Sequence, residues 1–83
     1  MEHYLILARS VTYAQRMQKV LARAGVRSRI FRAPREVTEL GCAYAVRVEH
    51  YEIQKAVRVI RGEGLPFVQI FVFRNGAYQE AAL

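Results

Sequence analysis

The strongest constraint on how this chain can fold is the order in which its hydrophobic period changes. Tyr4-Leu5-Ile6-Leu7-Ala8 is a continuous apolar run of strand length. Ser10 then stands as a helix N-cap before Val11, Ala14, Met17, Leu21 and Ala24, which recur at three- and four-residue spacing. Gly25 ends that helix, and residues 26–32 alternate as a second strand. A loop over 33–41, opened by Pro34 and closed by Gly41, leads to a third strand over 42–48. A second helix over about 50–61 carries Ile53, Ala56, Val57 and Ile60 on one face, and Gly62-Glu63-Gly64 stops it. Pro66 opens a fourth strand over 67–73. Asn75-Gly76 is a hairpin signal, so Ala77-Tyr78 is expected to fold back as a stub of a fifth strand.

The order β-α-β-β-α-β is that of the split βαβ motif. With right-handed crossovers it predicts an α+β, ferredoxin-like domain over residues 1–83. Its four antiparallel strands take the order 4-1-3-2, both helices lie on one face, and a short C-terminal hairpin follows. Length agrees, since 83 residues are one domain's worth of chain. At 53% hydrophobic and 24% charged, the composition is that of a globular rather than a disordered chain.

Charge is distributed unevenly. Lys and Arg number 13 against 7 Glu, a net charge of +6. Between His3 and Arg35 there is no acidic residue, but there are Arg9, Arg16, Lys19, Arg23, Arg27, Arg29, Arg32 and Arg35. Such a stretch attracts anions or nucleic acid, or is simply a solvated face. One cysteine, Cys42, excludes an internal disulfide, a four-cysteine zinc site and an iron–sulfur cluster within the chain. A lone thiol and the absence of a signal-like or membrane-spanning run lead to a cytoplasmic expectation. With the first strand taken as pointing up, His3 and His50 are both expected at the lower end of the sheet, away from Cys42, so no Cys–His nucleophile pair is expected. No metal-ligand spacing or phosphate-binding glycine loop occurs, and no cofactor is expected.

In that topology Arg9, Ser10, Arg32, Arg35, Cys42 and the Gly62–Gly64 turn share the upper rim. A thiol there would sit near the amino end of the first helix and two arginines, conditions that lower a thiol pKa. The alternative is that Cys42 is a small buried hydrophobe. The sheet face away from the helices is expected to mix Phe67, Gln69, Phe71 and Phe73 with Arg27, Arg29 and Phe31. Such a face suits single-stranded RNA or a dimer interface. The RNA-recognition octamer, laid on Leu40 to Arg47, is met only at Gly41 and Ala43, with Tyr44 approximating a Phe.

Leu5-Ile6-Leu7-Ala8-Arg9-Ser10, Pro34-Arg35-Glu36-Val37 and Cys42-Ala43-Tyr44-Ala45-Val46-Arg47 together resemble the selenium/sulfur carrier-like family of small bacterial and archaeal proteins. The likeness covers roughly residues 3–72. Its most specific part is Pro-Arg-Glu with a cysteine six residues after the Glu. Ala43 departs from it, standing where the family commonly has Gly, so the geometry around the thiol is expected to differ. The resemblance implies that Cys42 holds sulfur or selenium as a persulfide or selenopersulfide. Arg9 and Arg35 would then stabilise the anion, and Ser10 would cap the helix and offer a hydrogen bond. Partners would be donor and acceptor proteins; the sheet face itself, apart from the resemblance, offers a surface for a homodimer. The resemblance favours a carrier over a turnover enzyme. The other reading is a basic binding module, for single-stranded nucleic acid or for dimeric regulation, that uses the open face.

Overall fold

The computed structural model describes residues 2–40 and 44–83, and of residues 38–40 the backbone alone. Five strands form one antiparallel sheet: β1 (His3–Ala8), β2 (Arg29–Arg32), β3 (Tyr44–Glu49), β4 (Gln69–Arg74) and β5 (Ala77–Glu80). Their spatial order is β2-β3-β1-β4-β5. The four expected strands therefore keep the expected order, but the sheet has five strands rather than four. What was expected as a two-residue stub is a four-residue edge strand. Asn75 and Gly76 both take positive φ, 54° and 78°. That is the type I′ geometry whose twist matches a right-twisted hairpin, and it sets Arg74 opposite Ala77 and Phe73 opposite Tyr78.

Helix α1 (Val11–Arg23) starts where its cap predicts, with Tyr13 N–H donating to Ser10 Oγ at 3.3 Å. It buries Ala14, Met17 and Leu21. Beyond Ala24 the N–H of Gly25 donates to Ala22 O at 3.0 Å and that of Val26 to Leu21 O at 2.8 Å. This Schellman arrangement requires the left-handed φ of 81° that glycine adopts freely. Helix α2 (Ile53–Gly62) ends in the same way, through Gly64 to Arg61 O and Leu65 to Ile60 O. A single 3₁₀ turn, His50–Glu52, precedes it. Because Val26 serves the helix stop, β2 begins at Arg29 rather than at 26.

Both helices lie on one face. Ile6 and Ala8 of β1, Val46 and Val48 of β3, and Ile70 of β4 meet Met17, Leu21, Ala56, Val57 and Ile60 in one buried cluster. The opposite face is not open along its centre. Leu5, Leu7, Ala45 and Phe71 form a second buried cluster closed by Val37, which is fully buried. Val37 belongs to a 3₁₀ helix, Arg35–Leu40, inside the segment expected to be plain loop. Phe67 also departs from expectation. It precedes β4 and packs against the helix-side cluster, with Arg61 5.9 Å from its ring centre.

Candidate functional site

One end of the sheet gathers several of the residues singled out by sequence. Ala8, the last residue of β1, pairs with Tyr44, the first of β3, and Tyr44 pairs with Arg32, the last of β2. Arg9 follows Ala8 and is exposed, and Ser10 caps α1. The first turn of α1 contains no acidic residue, so no side-chain carboxylate there offsets the positive end of the helix. The Arg32 guanidinium lies 5.7 Å from the centre of the Tyr44 ring. Val68 N–H donates to Leu7 O at 2.9 Å and draws the approach to β4 to the same end.

Arg35 opens the 3₁₀ helix three residues after Arg32 and is exposed. Cys42 lies outside the described residues, so the expectation placed on it is carried forward as a proposal. The Gly62–Gly64 turn does not sit beside the start of α1. Gly62 and Glu63 line a groove with Val20, Arg23 and Ala24, at that helix's far end. How the two helices pack against each other sets this position, and strand order does not specify it.

His3 occupies the opposite end of β1, paired with Glu49 and Phe73. It is buried, stacks on Phe73 with ring centres 5.1 Å apart, and has the Tyr78 hydroxyl 3.5 Å from Nε2. Burial, reinforced by the nearby Arg47 charge, holds its pKa below the ordinary value of 6.5, partly offset by Glu49. This aromatic cluster went unread in the sequence. Its only trace there is the register that sets His3, Phe73 and Tyr78 in one row across three strands. His50 is exposed at the start of its 3₁₀ turn, as expected.

The lower end also holds a cleft of about 860 Å³ between α1, the turn after it, and the ends of β2 and β3. Sequence reasoning missed it, although Arg27-Ser28-Arg29 is its most visible signal. Among the described residues no group of three His, Cys, Asp or Glu side chains could hold a metal ion, and no helix is long and apolar enough to cross a membrane.

Compared with known proteins, residues 3–72 match the family model described as Putative Se/S carrier protein-like. No curated protein and no solved structure matches the chain.

Proposed function

The chain belongs to the Putative Se/S carrier protein-like family, and from that premise we propose that it carries sulfur or selenium on Cys42. The observation that supports this most is that Ala8, which leads into Arg9 and the capped start of α1, and Arg32 both pair with Tyr44, two residues past Cys42 in the chain. The matched region includes Cys42. Cationic side chains and an uncompensated helix start are the surroundings that favour a thiolate over a thiol. They equally favour the anionic form of a persulfide.

The transfer is an exchange with no net oxidation. The Cys42 thiolate attacks the outer sulfur of a donor persulfide, R–S–SH, forming a new S–S bond. The old S–S bond breaks and the donor leaves as its thiolate, R–S⁻. The –SH proton travels with the sulfur and is then lost, giving –S–S⁻. An acceptor nucleophile next attacks that outer sulfur, and Cys42 departs as thiolate. A donor selenopersulfide follows the same course with selenium outermost. Ser10 Oγ accepts the helix-capping bond from Tyr13, so its own hydrogen remains to donate toward an anion. With a single cysteine, the chain draws its chalcogen from one molecule and delivers it to another.

The rival use of the second sheet face as a stacking platform loses its central positions, because Val37 closes over Leu5, Leu7 and Phe71. Thiol alkylation by iodoacetamide across pH tests the carrier reading. The expected result is a midpoint below the free-thiol value of about 8.5. Arg9→Ala and Arg35→Ala should each move it upward by roughly 0.2–0.7 pH unit, as the loss of one exposed charge predicts. A midpoint at or above about 8.5, or a thiol that reacts only after denaturation, would sink the reading.

A further inference from the structure

We infer that the cleft at the lower end of the sheet is a binding site for a phosphorylated nucleoside, a role that does not rest on the chalcogen reading. Three separate pieces of chain bring cations to it: Lys19 from α1, Arg27 and Arg29 from the turn before β2 and the first residue of that strand, and Arg47 from β3. Glu49 is the acidic residue in its lining, and its carboxylate lies 3.8 Å from Arg47. That pair largely cancels, leaving Lys19, Arg27 and Arg29 as the net positive charge. Lys55 adds to the rim, its Nζ 4.0 Å from where a Cβ on Gly25 would stand.

A second observation also calls for a ligand. Ser28 lines the cleft, and its Oγ is buried with no hydrogen-bond partner among the described residues. An unsatisfied buried hydroxyl is destabilising, and a phosphoryl oxygen supplies the acceptor it lacks after rotation about χ1. The backbone there is held in place, since Gln18 Nε2 donates to Ser28 O at 3.2 Å. Arginines that only guard an edge strand against pairing would account for Arg29. They would not account for Lys19 converging from the helix or for the orphaned hydroxyl.

Size and the remaining wall select the ligand. The volume of about 860 Å³ far exceeds what a phosphate fills and lies in the range of small-molecule sites. Tyr51 stands at the cleft 72% exposed, an aromatic ring available for a base to stack on. The phosphate is held by Lys19, Arg27 and Arg29, and the base lies against Tyr51.

The test is amide NMR titration of the whole chain with AMP, inorganic pyrophosphate and adenosine. AMP should give saturable shifts confined to residues 18–29 and 47–51, with adenosine giving none and pyrophosphate binding more weakly than AMP. Arg27→Glu and Arg29→Glu, both at exposed positions, should each weaken AMP about tenfold while leaving the rest of the spectrum unchanged. Ser28→Ala should weaken it severalfold. Non-saturable shifts, shifts spread equally to Arg9 and Arg58, or unchanged affinity in Arg27→Glu would overturn the site. Adenosine binding as well as AMP would overturn the phosphate contact, and pyrophosphate binding as tightly as AMP would overturn the nucleoside assignment.

Discussion

The guanidinium of Arg32 lies 5.7 Å from the centre of the Tyr44 ring, and the two residues are paired across β2 and β3. Tyr44 also pairs with Ala8, so this contact stands where the exit of β1, the cap of α1 and the end of β2 meet. The segment that contains Cys42 rejoins the sheet at that point. The charge asymmetry of the first 35 residues therefore has two destinations. Arg9 and Arg32 serve the upper end, whereas Lys19, Arg27 and Arg29 line the cleft at the lower end.

Ser10 has a structural role separable from an electrostatic one. Ser10→Ala removes the bond to Tyr13 N–H and should cost about 1 kcal/mol, seen as a melting temperature lower by roughly 4–8 °C. Ser10→Asp keeps the cap and should restore the melting temperature. It also places a negative charge at the start of α1, so on the carrier reading it should raise the Cys42 alkylation midpoint. Equal melting temperatures for wild type and Ser10→Ala would show that the cap does not hold α1.

Val37 is the residue that closes the second face. Val37→Ala should destabilise the protein by roughly 1–3 kcal/mol through lost burial and the cavity left behind. In urea this lowers the midpoint by about 1 M. A midpoint within error of wild type would mean that the 3₁₀ segment does not cover Leu5, Leu7 and Phe71 in solution.

His3 makes stability depend on pH with a definite sign. Its folded-state pKa is depressed by burial, so the unfolded chain binds the proton more readily. The contribution is fully present above 6.5 and is lost as pH falls from there through the depressed folded value. His3→Phe keeps a ring to stack on Phe73 and removes the titration. Between pH 7 and pH 5 it should lose less of its urea midpoint than wild type does. Parallel losses in the two proteins would contradict the assignment.

Much of this architecture could be read from periodicity and punctuation. Ser10 capped α1 as its side chain predicts, Gly25 and Gly64 ended both helices, and Asn75-Gly76 turned the hairpin. These are local signals, in which a residue's own chemistry decides its backbone. What escaped was set by contacts distant in sequence. Val37 lies in a stretch with no clear period, and only the sheet beneath it explains a 3₁₀ helix there. The full length of β5 depended on Tyr78 finding Phe73 and His3. The gathering of Arg9, Ser10 and Arg32 at one end of the sheet was legible, because it follows from strand order alone. The position of the Gly62–Gly64 turn did not, because it depended on how the two helices pack against each other.

The central claim is that Cys42 holds the chalcogen, and intact-mass analysis after incubation with a cysteine desulfurase and cysteine tests it most directly. The account predicts a gain equal to one sulfur atom, located on the peptide containing Cys42, removed by a thiol reductant and absent in Cys42→Ser. An unchanged mass in a preparation whose Cys42 thiol is shown to be free and alkylatable would contradict it.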